Sequence, residues 1–163
     1  MTRRQFDVYV ETVIESGADE ARRAGSPTVE AEHLLLAVAT DRESAAGRLL
    51  EAAGLGRDAV HRALREEFRE SLAAAGISIA DEDLPRPSAS AKPPSRLGQS
   101  AKLALERGLA TAGGRRELHP LHLLLGILLL EFGTVPRALS LAGVDRPELR
   151  ARVEASLGTE DAS

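Results

Sequence analysis

The tetrapeptide His33-Leu34-Leu35-Leu36 returns 89 positions later as His122-Leu123-Leu124-Leu125. Carried ungapped over residues 21–68 and 110–157, the same shift aligns 11 identical pairs in 48. Besides the tetrapeptide these are Ala21, Gly25, Arg48, Leu50, Ala53, Gly54 and Arg57 with their partners. Self-similarity at a fixed spacing means copies of one supersecondary unit, each burying its apolar face against a neighbour. Ala and Leu, 27 and 25 of the 163 residues, raise the rate of chance matches. They do not account for the matched histidines, nor for the pairs Gly25–Gly114 and Gly54–Gly143. The chain is therefore a duplication.

Each copy divides into four helical segments. In the first copy Phe6, Val10, Val13, Ile14 and Ala21 recur at helical spacing, and Gly25 with Pro27 stops them. Glu30 to Thr40 is almost wholly apolar, which predicts a central, buried helix. Glu43 to Ala53 makes a third helix closed by Gly54, and Leu55, Ala59, Val60, Leu64 and Phe68 mark a fourth. In the second copy Leu103, Leu105 and Leu109 belong to a helix ending at Gly113-Gly114. Pro120 opens the next, which runs to about Leu130. Thr134 and Pro136 start a short helix closed by Gly143. Asp145 can cap a last helix through Leu157, with Pro147 in its first turn. With only four aromatics, Phe6, Tyr9, Phe68 and Phe132, strand-forming residues are scarce. The expected fold is all-α, a pseudo-two-fold duplicated four-helix repeat of about eight helices. Its repeats span residues 5–75 and 96–158, joined by a Pro/Ser-rich linker over 76–95 that cannot form a packed core, with a loose tail at 159–163. Such small units are expected to pack together as one bundle.

Charge and motif content exclude several functions. The formal net charge is −4, and no segment carries the basic field of a nucleic-acid binder. The doublets Arg22-Arg23 and Arg115-Arg116 are expected as solvated helix ends. Two N-terminal Arg are followed by no apolar stretch of signal-peptide length. The longest apolar run, Leu123 to Leu130, is far short of the roughly 20 residues of a membrane span. The cytoplasm is the expected location. Absence of Cys removes disulfides, thiolate zinc sites and a cysteine nucleophile. The only lysines, Lys92 and Lys102, lie in no phosphate loop, and no Gly-x-Ser-x-Gly elbow occurs. Glu30-Ala31-Glu32-His33 has the Glu-x-x-His spacing of di-iron bundles, but its counterpart His119-Pro120-Leu121-His122 lacks the carboxylate. A metal-dependent enzyme through Glu30, His33, His119 and His122 is the alternative. No enzyme, metal site or cofactor is expected. His33 and His122 are expected to start helices, with ring nitrogens bonded to backbone groups. Glu32, in a first helical turn, can complement the helix dipole or hold a partner's guanidinium or amine.

These features resemble the Clp N-terminal (Clp repeat) domain at the front of the AAA+ unfoldases, and are nearer the ClpA/ClpC type than ClpB. The resemblance rests on Phe6, the Ala21–Gly25 helix end, Val29, Glu32-His33, Leu49-Leu50 and Gly54-Leu55. In the second copy it rests on His122 to Ile127, Ala138-Leu139 and Gly143-Val144, so that it spans about residues 5–158. It implies a non-catalytic module that binds adaptors, degradation substrates or the unfoldase itself, as a regulator or decoy. No ATPase module lies within the 163 residues, and an Arg-rich, divergent sequence that fills the whole domain from Gln5 to Leu157 favours the expectation of a free-standing domain. The N-terminal fragment of a ClpC-type ATPase is the alternative. In some relatives each repeat binds phosphorylated arginine through the Glu of a Thr-Glu-His motif and a Thr after the opening aromatic. Glu32 keeps the first role. Asp7 stands in place of the Thr and would repel phosphate, and Leu121 replaces the second Glu. The second opening, Ser95 to Gly98 or Leu97 to Ser100, lacks the aromatic-Thr pair. The resemblance thus implies partner contacts at Glu32, Asp7 and Phe6, with His33, His122, Gly54 and Gly143 as structural marks of the repeat.

Overall fold

In the computed structural model, which describes residues 1–113 and 118–162, Thr2 and Gln5 start the first helix by bonding each other's backbone. The Thr2 hydroxyl accepts from Gln5 N–H at 3.2 Å, and the Gln5 side chain accepts from Thr2 N–H at 2.8 Å. Helix α1 therefore spans Arg3–Arg23 and begins before Phe6. It is followed by α2 (Ala31–Thr40), α3 (Ala45–Ala52) and α4 (Arg57–Ala74), then by α5 (Gln99–Thr111), α6 (Pro120–Leu128), α7 (Thr134–Leu141) and α8 (Arg146–Asp161). Ser44 caps α3, and Asp145 caps α8. Gly54 and Gly143 leave α3 and α7 with φ of 75° and 73°, a left-handed conformation that favours glycine. Among the described residues there are no strands beyond one parallel bridge, Val29–Leu97.

Helices α2, α3 and α4 start at residues 31, 45 and 57, and α6, α7 and α8 at 120, 134 and 146, so the 89-residue shift holds for three helices of each copy. The first helices obey a different shift. Ala21 is buried in α1 whereas Ala110 is exposed, so that sequence match is not a structural one. Buried Val13, Gly17 and Ala21 correspond to buried Ala104, Gly108 and Ala112, 91 positions on. Two residues fewer separate the first and second helices of copy two. Gly113 carries the left-handed φ of 59° after α5. Gly114 and the Arg115-Arg116 doublet lie outside the described residues.

The core is built on α2 and α6. Eight of the ten α2 residues and all nine of α6 are buried. Each packs against helices of both copies: α2 against α5, α6 and α7 as well as its own neighbours, and α6 against α1, α2 and α3. Burial on every side is why both read as apolar all round. Helices α5 and α6 cross closely because Gly108 meets Gly126. A Cβ on Gly126 would lie 2.1 Å from the Ala104 carbonyl oxygen, and one on Gly108 2.7 Å from that of His122. Small residues line this face of α5, so the leucines expected there point elsewhere: Leu103 and Leu109 are exposed.

Two further corrections concern the connecting segments. The linker contains a short 3-10 turn, Asp81–Asp83, and Leu84 beside it is buried. Ser90 N–H donates to the Arg22 carbonyl at 2.9 Å, holding the linker against the end of α1. The tail residues Thr159–Asp161 belong to α8 rather than to a loose segment. Gly158 keeps a right-handed conformation there and does not terminate the helix. No helix among the described residues is long and apolar enough to cross a membrane.

Candidate functional site

The two copies meet where α2 and α5 begin. Val29 N–H donates to the Arg96 carbonyl at 2.9 Å, and Gly98 N–H donates to the Val29 carbonyl at 2.8 Å. This bridge brings Glu30 against the first turn of α5. One carboxylate oxygen of Glu30 accepts from the Thr28 hydroxyl at 2.8 Å. The other accepts from Ser100 N–H at 3.2 Å and from the Ser100 hydroxyl. The same hydroxyl accepts from Ala31 N–H at 2.9 Å. Helix N-termini carry unsatisfied N–H groups, and here each helix supplies an acceptor to the other. Gly98 makes room, since a Cβ there would lie 1.6 Å from a Glu30 oxygen.

The histidines close the starts of the two core helices. His33 Nδ1 accepts from Glu30 N–H, and His122 Nδ1 accepts from His119 N–H, each at 2.9 Å. An accepting Nδ1 requires an unprotonated nitrogen. Burial pushes the His33 pKa down, and the carboxylates of Glu30 and Glu20 only partly oppose it. His119 Nδ1 accepts from Leu121 N–H at 3.3 Å. Glu30 thus engages Thr28 and Ser100, and one ring nitrogen each of His33, His119 and His122 engages a backbone N–H. Among the described residues no group of three or more His, Cys, Asp or Glu could hold a metal ion.

Glu32 follows on the first turn of α2, half-buried where α2, α4 and α7 meet. Burial pushes its carboxyl above the usual range. A bond to its own backbone N–H lowers it, Glu30 and Glu67 add repulsion, and Arg137 offsets part of that. Arg137 is directed to Glu67 instead: its Nε and Nη2 lie 3.0 and 2.9 Å from one Glu67 oxygen. Ser71 donates to the same oxygen at 2.7 Å. A carboxylate held partly out of water, beside a cation already engaged, has the chemistry to accept a hydrogen bond from a guanidinium or ammonium. Glu67 and Arg137 carried no motif. The only sequence signal was the identity of Arg48 and Arg137, and Arg48 has a different role, donating to the Glu43 carbonyl.

Phe6 and Asp7 sit elsewhere. Phe6 is 3% exposed and packs with Ala112 and Leu118, so it serves the core. Asp7 is exposed and pairs with Arg3 at 3.6 Å. Both line a hollow of about 380 Å³ with Val10, Leu105, Leu109 and Leu123. The openings cross over: Leu97, at the second opening, pairs with Val29, and Phe6, at the first, packs with Leu118, the counterpart of Val29. Hence the neighbour of the Glu30–His33 segment is Gly98–Ser100, not Asp7.

Residues 5–93 match the family described as the Clp repeat (R) N-terminal domain. Among curated proteins no sequence matches the chain significantly. Among solved structures the chain is similar to the N-terminal domain of the caseinolytic protease associated chaperone ClpD from Arabidopsis thaliana. The TM-score is 0.61 at 21% identity, over 90% of each chain. That likeness concerns the fold, and it extends across the second repeat, beyond the residues matched to the family.

Proposed function

Because the chain belongs to the Clp repeat N-terminal domain family, we propose that it acts in the cytoplasm as a non-catalytic interaction module of the Clp system. It binds adaptors, degradation substrates or the unfoldase, and regulates substrate delivery by competing for them. The observation that carries this is Glu32, a half-buried carboxylate at a helix start whose neighbouring cation, Arg137, is bonded to Glu67. A basic side chain of the partner completes that site. Asp7 supplies a second carboxylate on the far opening, with buried Phe6 holding the helix that presents it.

The test is affinity capture from native lysate of the source organism with wild type and Glu32→Gln. A Clp ATPase or one of its adaptors is expected with wild type and depleted with the variant. A wild-type eluate without either, at low and moderate salt, overturns the proposal. Glu32→Gln is expected to fold normally. Its raised folded-state pKa means that ionised Glu32 detracts from stability at neutral pH. The variant should therefore melt slightly above wild type at pH 7, and the difference should shrink toward pH 4.

A further inference from the structure

Phe132, in the turn between α6 and α7, is 86% exposed, although the chain has only four aromatics. The turn that carries it is held on both sides. Leu130 before it and Val135 after it are buried in the core. Arg107 of α5 donates to the Leu129 carbonyl, and Arg146 of α8 donates to the Leu130 carbonyl at 2.6 Å. Gly133 follows with φ 104° and ψ −168°, a conformation that residues other than glycine avoid.

The first repeat makes the corresponding turn differently. Glu43 and Ser44 stand at the positions of Phe132 and Gly133, and the Ser44 hydroxyl caps α3 by accepting from Gly47 N–H at 3.0 Å. Arg57, matched to Arg146, bonds Glu20 instead, and the 91-residue shift matches Arg107 to Ser16. The second repeat thus forgoes a side-chain cap on α7 and fixes a bare aromatic ring in water. A ring already fixed loses little freedom on docking, as suits a binding anchor.

The chain also carries a receptor for such a ring. The hollow of about 380 Å³ where α1, α5 and α6 meet is floored by Phe6, Val10, Leu105 and Leu123, with Leu109 exposed at its edge. A mostly apolar hollow of that volume takes a phenyl group. At its mouth Arg3 and Asp7 pair with each other at 3.6 Å, and Glu11 is exposed, so an entering ring strands no charge. Phe132 stands in water and does not fill the hollow of its own copy. We infer that Phe132 of one copy docks head to tail into the hollow between α1 and α5 of a second copy. The contact is one ring and its surroundings, smaller than a stable dimer needs, so the association is weak. Each pair leaves a free ring at one end and an open hollow at the other, so growth does not stop at two unless the assembly closes into a ring. The contact leaves Glu32 uncovered.

Sedimentation velocity of the purified protein, from micromolar to millimolar concentration, tests this without any other partner. The mean mass of wild type should rise with concentration, and Glu32→Gln should behave alike. Phe132→Ser removes the ring. Leu109→Arg closes the hollow, since its guanidinium can pair with the carboxylates at the mouth. Both positions are exposed, so both variants should melt as wild type does. Each alone should associate at least tenfold more weakly. An equal mixture should form pairs and stop there, because one variant keeps the hollow and the other keeps the ring. Acetyl-phenylalanine amide added to Phe132→Ser should move the backbone amide signals of residues 6–11 and 105–109. A wild type that stays monomeric throughout overturns the inference, as does either variant associating like wild type. A mixture that stays monomeric, or amide shifts centred away from the hollow, also overturns it.

Discussion

Glu30 and Ser100, seventy positions apart, cap each other's helices: the Glu30 carboxylate accepts from Ser100 N–H, and the Ser100 hydroxyl accepts from Ala31 N–H. The exchange fastens the two copies at the point where both core-facing helices begin.

Ser100→Ala removes an acceptor from one helix start and a donor from Glu30. A lost cap costs about 1–2 kcal/mol, so the melting temperature should fall by about 3–6 °C. Gly98→Ala should cost a similar amount, because its Cβ displaces the Glu30 carboxylate from Ser100. Since both substitutions break one exchange, the double variant should be less destabilised than the sum of the singles. Additive losses in denaturant melts would mean that Gly98 and Ser100 act independently.

His33 makes stability depend on pH. Its folded pKa is below the unfolded value of 6.5, so its contribution is fully present above 6.5 and is lost as pH falls through the window beneath. Melts recorded from pH 7.5 down to 5 should show this loss. His33→Gln can still reach back to the Glu30 N–H but does not titrate. It should flatten the pH slope while changing stability at pH 7 by no more than about 2 kcal/mol. An unchanged slope would place the titration elsewhere.

Arg137 and Glu67 latch α7 onto α4. Glu67 is buried while Arg137 is largely exposed, so the pair is worth less than a fully buried one. Arg137→Ala should cost about 1–3 kcal/mol, chiefly because it leaves the Glu67 carboxylate buried beside Ser71 alone. Glu67→Leu combined with Arg137→Met should recover much of that loss. If the double variant is as unstable as Arg137→Ala, packing and not the stranded charge explains the effect.

Leu35→Asp or Leu124→Asp should abolish soluble folded protein. Both leucines are matched across the repeat, and both are at most 2% exposed in the middle of the core helices. An unpaired buried carboxylate costs several kcal/mol, comparable to the whole stability of a domain this size. Circular dichroism and a melt identical to wild type for either variant would contradict the placement of α2 and α6.

The fold was legible because its determinants are local and repeated. Apolar runs of helical length, glycines that must turn left-handed at Gly54 and Gly143, and Pro or Asp at helix starts act within a few residues of themselves. They placed the second to fourth helices of each copy to within a few positions. The ends of α1 and α8 were misjudged for local reasons as well: Thr2 with Gln5 extends α1 backward, and Gly158 stays helical. The register of the first helices was misjudged because abundant alanine made Ala21 and Ala110 look equivalent. Only burial distinguishes Ala112 as the true counterpart.

The site was legible only in part. Glu32 and His33 announce themselves, since one places a carboxylate in a first helical turn and the other recurs as His122. What surrounds them does not. Whether the Glu30–His33 segment faces Asp7 or Ser100, and whether Arg137 answers Glu32 or Glu67, depends on how the two copies cross. That crossing is set by the shared burial of α2 and α6, a sum over many apolar contacts between residues far apart in the chain. By itself the sequence determined two four-helix units and their capping chemistry, because those interactions span three or four residues. The tertiary structure alone decided which charges meet, because hydrophobic burial is non-directional and fixes partners only once both copies are packed.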